Sequence, residues 1–517
     1  MESLDLIKTS SQTRLQLLSK ESLIENCLIL QDELARVVRE NYRLRSEFIS
    51  DLQLSLIIDE QLKDLKNKIF GSSSEKYNNP NPKKDSEEKP EKTKKPQIKK
   101  PSERYPNLPV REIVVSQEPP PSDDHGSMRP TGMYEITEQL TVIPKKYEIL
   151  RYKHVIYGSQ GKDSDYIQTT PAPDRIKAGS TYSDEMILDV SLSKYLDLIP
   201  IQRQAAMARR TALIDIPPQS LIECTHYLAE FIEEAYLGLK TEVLQSKFLH
   251  ADETPHKMLE GDEKKSWYLW GFSTSKVCFF ECHRTRSGDV ASEILLKSCC
   301  EFLLTDAYSG YGKAVGLVNE ERLKNGLPMI KNAYCNAHSR RYFVKSYDDG
   351  KGEPEAEFYL IQYQKIYALC ETSYVKALPE ILELRAQMKP YFESMRVKAA
   401  ENIHKYSSKS QFGKAMNYFL ENYQELTLFL THAEVPIDNN PQERLLRPHV
   451  VGRKTWYGTH SQRGAKTAAI MFSLVETCKL NGVNAREYFK ILAAEMLGGY
   501  PAFTPAEYKA RLASPNN

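Results

Sequence analysis

Three acids stand where carboxylates can do chemistry. Asp252 follows the apolar run Phe248-Leu249 in SKFLHAD (246–252). Asp306 follows Phe302-Leu303-Leu304 in EFLLTD (301–306). Glu443 sits in DNNPQERLLR (438–447), which opens a helix. An acid at the carboxyl end of a buried strand lies where open α/β sheets place their ligands. Two such acids on neighbouring strands repel each other unless a cation lies between them. A hard divalent ion, magnesium or manganese, takes oxygen ligands and suits that position. Two such ions about 3.5–4 Å apart can activate a nucleophilic oxygen and stabilise the leaving oxygen of a phosphodiester. Glu443 is the candidate third ligand. Plainer readings stand beside this one. Strand-end acids often serve turns or caps. Asn440 could be an N-cap, Pro441 the first helical residue and Glu443 the reciprocal acid of a capping box. Glu253 and Asp438 are rival ligands by the same chemistry.

Downstream of Glu443 the chain becomes basic. Between Arg444 and Lys466 there are six Lys/Arg, two His and no acid. Arg444, Arg447, Arg453, Lys454 and Arg463 could neutralise phosphates, and Trp456 could stack on a splayed base. The alternative is a solvated basic loop around a core tryptophan. A second candidate DNA surface is PIQRQAAMARRT (200–211), a helix with Arg203, Arg209 and Arg210. It is followed by a break and by another helix entered through Pro217 and Pro218. Helix, break, helix is the pattern of a helix-turn-helix reader, and also of many helix pairs that touch no nucleic acid.

These residues need a scaffold. SWYLWGFS (266–273), KVCFFECH (276–283) and IKNAYC (330–335) read as further strands. SGDVASEILLKS reads as a helix capped by Ser287 or Asp289, another helix starts at His338, and 353–431 is a long helical region, amphipathic in patches. Strands with helices threaded between them indicate an α/β sheet. Ahead of it, REIVV, EITEQLTVI and YEILRYKHVIY within 110–175 read as short strands. Residues 23–69 carry a heptad stripe, with Asn41 at a core position, which points to a coiled coil and a homo-oligomer. Lys76 to Arg104 holds ten Lys/Arg, five Asp/Glu and five prolines, the composition of a solvated tether.

Net charge is +1, so bulk charge names no polyanionic partner. No run is long and apolar enough for a membrane helix, and the first residues lack a signal-peptide pattern. Nine cysteines without framework spacing suit a reducing, cytoplasmic compartment.

HADETP (250–255), LLTDAYSGY (303–311), CNAHSRRYF (335–343) and the stretch from IDNNPQERLLRPHVVGRKTWYGTH to KLNGVN (437–484) resemble transposases of the insertion sequence 66 family. IFGSSSEKY (69–77) also resembles that family's N-terminal region. The resemblance implies a DDE transposase with a ribonuclease-H-like core, acting on transposon ends and target DNA. Carried over by motif, the triad is Asp252, Asp306 and Glu443, spaced 54 and 137 residues apart. Together with the residue patterns above it gives this order: 1–70 helical and coiled-coil; 71–108 a charged linker; 109–178 a small β-rich module; 179–245 helical, with the helix-turn-helix candidate. The core then runs over 246–470 with a helical insertion at about 353–431, and 471–517 is a C-terminal helical region. Cys335 and His338 are site-adjacent by the same resemblance. The family's small module usually binds zinc through cysteine pairs. Here no cysteine lies between Cys27 and Cys224, and His125 alone cannot make such a site, so no zinc is expected. Accessory proteins of the same element are implied as partners. A nuclease that cuts without joining strands, and an inactive DNA-binding protein, remain as alternatives.

Overall fold

The computed structural model describes residues 100–104, 108–113, 136–141, 145–158, 167–259, 266–348, 353–371 and 378–513. The heptad region, most of the charged linker, His125 and the region similar to IFGSSSEKY lie outside the described residues. The chain divides into two units, residues 72–149 and the remainder. Within the first, a helical turn spans Pro101–Arg104, and the Ser102 amide and hydroxyl both donate to Glu138 at 2.9 Å.

The strands expected between 110 and 175 form only in part. Among the described residues there, the strands are a pair, β1 (Ile156–Gly158) and antiparallel β2 (Ile167–Thr169). Ile136, Leu140 and Ile149 are exposed and lie in no strand among the described residues.

The second unit is mixed α/β around one five-stranded sheet. β3 (Phe248–Lys257), β4 (Ser266–Ser273), β5 (Cys278–His283), β6 (Phe302–Thr305) and β7 (Lys331–Tyr334) lie in the order β5-β4-β3-β6-β7. The first three are antiparallel neighbours; β6 and β7 run parallel to β3. β3 is longer than its sequence suggested. It continues past Asp252 because β4 pairs with it as far as Lys257.

Four helices precede the sheet: α1 (Asp184–Tyr195), α2 (Ile201–Ala212), α3 (Pro218–Phe231) and α4 (Glu233–Gln245). The helix pair at 200–231 is therefore present. Its second member, α3, is turned inward, burying Leu221, Cys224, Leu228 and Ala229. α2 carries the exposed basic face, with Arg203, Arg209 and Arg210.

Between the strands come α5 (Gly288–Lys297), capped by Ser287 as expected, and α6 (Ser309–Lys324). After β7 come α7 (Asn336–Asp348) and then the insertion: α8 (Ala356–Glu371), α9 (Leu378–Asn402), α10 (Gln411–Glu421) and α11 (Tyr423–Thr427). The insertion is built on aromatic packing. Tyr359, Tyr363, Phe392, Phe412 and Phe419 share one core with Phe302 and Leu304 of β6 and Phe343 of α7. Asn336 anchors it, donating to the carbonyls of Leu426 and Ile437.

The chain closes with α12 (Asn440–Trp456), α13 (Gln462–Leu480), α14 (Ala485–Leu497) and α15 (Pro505–Ala513). α13 explains how the outer edge of β5 is blocked. Thr477 Oγ1 exchanges hydrogen bonds with the backbone of Cys278, and Ser473 Oγ accepts from the Phe280 amide. Tyr236 on α4 donates to the Phe280 carbonyl. A sheet edge satisfied by side chains offers nothing to another strand. No helix among the described residues is long and apolar enough to cross a membrane.

Candidate functional site

The parallel register pairs Phe248 with Phe302, Leu249 with Leu303 and His250 with Leu304. Asp252 and Asp306 lie the same number of residues beyond the first of these pairs. Side chains alternate along strands, so the two acids continue the same row. Asp252 Oδ1 accepts from the Glu253 amide at 2.9 Å, and Asp306 Oδ1 accepts from the Tyr308 amide at 3.0 Å. One oxygen of each is thus fixed by backbone.

Glu443 reaches the same place from α12. It is not a capping-box acid: Asn439 occupies the N-cap, which puts Gln442 rather than Glu443 at the third helical position, and the cap has no side-chain hydrogen bond. Arg341 Nη2 on α7 donates to Glu443 Oε2 at 2.7 Å. Glu443 Oε1 is buried and accepts no hydrogen bond, with His338 Nδ1 3.7 Å away.

Burial pushes the Asp252 carboxyl well above its ordinary range, and the charges of Glu253, Glu443 and Asp306 push it further. Like charges placed this closely repel one another, and a cation between Asp252, Asp306 and Glu443 relieves the repulsion. The donors of Asp252, Asp306 and Glu443 are oxygens, and Glu443 Oε1 lacks a partner. That set fits a hard divalent cation better than a soft one.

The rival ligands are otherwise engaged. Glu253 accepts from Arg286 Nε at 2.6 Å and from the Tyr311 hydroxyl at 2.5 Å. Asp438 accepts from Tyr367 and from Asn440, shaping the entry to α12.

Cys335 and His338 lie closer to Glu443 than their sequence placement implied. One ligand atom from each of the three falls within 4.8 Å of the others. Both residues have orienting contacts. Cys335 Sγ accepts the Asn439 amide at 3.1 Å, and Arg341 Nη1 lies 3.2 Å from His338 Nε2. An arginine can only donate, so His338 Nε2 accepts and its proton sits on Nδ1, facing Glu443.

Two contacts clamp α12 onto β3. At its start, His250 donates to Asn439 Oδ1 at 2.7 Å, and Asn439 Nδ2 donates to the Ala251 carbonyl at 2.9 Å. Further along, His449 and His256 share a 2.9 Å hydrogen bond. Gly271, opposite Asp252 on β4, leaves the space into which Gln442 packs, and Ser273 donates to Gln442 Oε1.

The basic residues divide into two sets. Arg444, Val451 and Lys454 are exposed and Arg447 is half-buried; at 444, 447, 451 and 454 they share one outward stripe of α12. Arg453 is half-buried. Arg463, expected at a DNA surface, instead donates to Glu230 and Glu223 and pins α13 to α3. Arg209 pairs with Asp215. Trp456 meets Tyr195 edge-on, with the Lys194 ammonium 5.6 Å from its ring.

Asn439, Gln442, Arg341 and Arg286 were not singled out from the sequence. Arg341 lies in CNAHSRRYF and Gln442 in NNPQER, so motif proximity could have flagged those two. The contacts of Arg286 join segments remote in the chain and are visible only once folded.

The family described as "Transposase IS66 family" matches residues 179–467. Three proteins of Sinorhizobium fredii, each named only as uncharacterized, are similar. Protein y4hP is 24% identical over 426 residues, 78% of this chain and 75% of its own. Protein y4qI is 24% identical over 379 residues, 71% and 69% of the two chains, and y4jD is 23% identical over 384, 70% and 72%. The match spans every residue of the acidic site, and the chain belongs to the IS66 family of transposases.

Proposed function

We propose that the protein is a DDE transposase, with Asp252, Asp306 and Glu443 as its catalytic, metal-holding triad. The observation that carries this is the convergence of the three acids, Asp252 on β3, Asp306 just past the parallel strand β6 and Glu443 on α12, with the charges of Glu443 and Asp306 both raising the Asp252 carboxyl. The sheet order, three antiparallel strands followed by two parallel ones, supports reading the core as ribonuclease-H-like. The helices between β7 and α12 are then an insertion in that core.

Magnesium or manganese bound by the triad supplies activation of an attacking oxygen and stabilisation of the leaving one. Asp252 and Asp306 present one free oxygen each, while their backbone-held oxygens fix the orientation. Arg341 holds Glu443 through Oε2, which leaves Oε1 without a hydrogen bond and available to a metal, 3.7 Å from His338 Nδ1. Water attacks a phosphodiester at the element's terminus and releases a 3′-hydroxyl, which then attacks target DNA. The outward stripe of α12 with Arg444, Arg447 and Lys454, together with Arg453, supplies phosphate contacts beside the reacting strand. α2, with Arg203 and Arg210, supplies a second DNA surface.

Replacing Asp306 with Ala tests the assignment. Magnesium-dependent cleavage of the element's ends should disappear while DNA binding persists; full cleavage by this variant refutes the triad. Joining assays on pre-cut ends separate a transposase from a nuclease of the same core.

A further inference from the structure

We propose that Arg286 forms a phosphate-binding subsite at the rim of the acidic site, held rigid by a buried anchor of Glu253 and Tyr311. It rests on the phosphoryl-transfer reading in one respect: the anion it takes is a phosphodiester of DNA.

Glu253 follows Asp252 on β3, so its side chain leaves the opposite face of the strand. Only 1% of that side chain is exposed, against 45% for Arg286. Both carboxylate oxygens are occupied, Oε1 by Arg286 Nε and Oε2 by the Tyr311 hydroxyl. Burying a carboxylate costs several kcal/mol unless its partners have good geometry. Here that arrangement fixes one exposed guanidinium.

The guanidinium is held from a second side. Its carbon lies 4.1 Å from the Tyr308 ring centroid. Stacking on an aromatic face suits the planar group. Tyr308 also ties it to the acids: the Tyr308 amide donates to Asp306, and the Tyr308 hydroxyl donates to the Arg286 carbonyl at 3.0 Å. The starts of α5 and α6, two residues past Arg286 and Tyr308, touch: a Cβ on Gly288 would overlap the Gly310 carbonyl. Arg286 is thereby fixed relative to Asp306.

Nε is used by Glu253, and the two terminal nitrogens have no acceptor among the described residues. That leaves a preorganised pair of donors, the geometry that binds phosphate through two oxygens. A guanidinium placed this way meets the strand that enters the acidic site.

Removing Arg286 alone strands a buried carboxylate and risks unfolding. The decisive variant is therefore Glu253→Gln combined with Arg286→Gln, with Arg286→Gln alone as a second. Binding to a short linear DNA duplex is measured across salt concentrations without added metal. Folded variants should show a salt slope lower by about 0.9, the loss of one phosphate contact. Magnesium-dependent end cleavage should fall roughly 10- to 100-fold, the worth of a charge-assisted hydrogen bond. A folded double variant with the wild-type slope and cleavage overturns the proposal. So does a variant that loses thermal stability with no change in slope, which marks a structural role alone. The slope is read without metal or cleavage. Its failure is thus distinct from failure of the triad, which the Asp306→Ala variant reports.

Discussion

Asn439 and His250 meet in the buried seam between α12 and β3, His250 Nδ1 donating to Asn439 Oδ1 at 2.7 Å. The other end of the same amide holds the Ala251 carbonyl. One side chain therefore links the strand just before Asp252 to the helix turn that carries Glu443. Asn439→Ala should leave a histidine N–H and a carbonyl buried without partners, at about 1–3 kcal/mol each. Denaturant melts should show a loss of about 2–6 kcal/mol, and cleavage should fall with it. Wild-type stability in this variant would show that the seam does not hold α12.

Gly271 faces Asp252 across the β3–β4 ladder. A methyl there would overlap the Gln442 amide and come within 2.8 Å of the Phe280 ring. The glutamine end can swing, but the ring is wedged in the core. Gly271→Ala should cost about 1–3 kcal/mol, as overpacking does. It should also move Glu443 and reduce metal-dependent cleavage more than DNA binding. Thermal melts and cleavage assays on the same preparation check both.

Asp252 is a stability cost at neutral pH. Its carboxyl is raised above the ordinary value of about 3.9. The native state therefore holds the proton more tightly than the unfolded chain. Stability from this group is present below about pH 4 and lost as pH rises through the raised value. Asp252→Asn should melt higher than wild type at pH 7 without divalent metal, and the gap should close on acidification. Magnesium should raise the melting temperature of wild type more than that of the variant. A variant less stable than wild type at pH 7 would contradict this account.

The buried histidine pair works in the opposite direction. Thr459 donates to Met258 Sδ, so His256 Nε2 donates to Thr459, and His449 Nε2 donates to His256 Nδ1. Each ring then carries one proton and is neutral. Burial lowers His256 to about 4 and His449 well below the ordinary value. The unfolded chain takes up protons first, near pH 6.5, so the pair's contribution is whole above that pH. It drains away as pH falls toward 4, by an amount on the order of 2–3 kcal/mol for His256. His256→Gln should flatten this part of the stability–pH curve, as urea melts between pH 4 and 7 will show.

The acids and the strands carrying them were legible because local pattern decides them. Apolar runs ending in Asp252 and Asp306 are short-range signals, and β4 matches its sequence reading residue for residue. The end of β3 was not legible, since pairing with β4, not local composition, sustains it past Asp252. Arg463 looked like a phosphate contact because its own neighbourhood is free of acid. Its partners, Glu223 and Glu230, lie more than two hundred residues earlier. Glu253 looked like a metal ligand until Arg286 and Tyr311 were seen to occupy both oxygens. Among the described residues between 110 and 155 the apolar patterns form no strand, and Ile136, Leu140 and Ile149 lie exposed.

Replacing Asp306 with Cys and comparing two metals tests the triad most directly. A thiolate is a poor magnesium ligand and a better manganese one. End cleavage should be lost in magnesium and partly regained in manganese, with DNA binding unchanged in both. Wild-type cleavage in magnesium by this variant would show that Asp306 holds no catalytic metal.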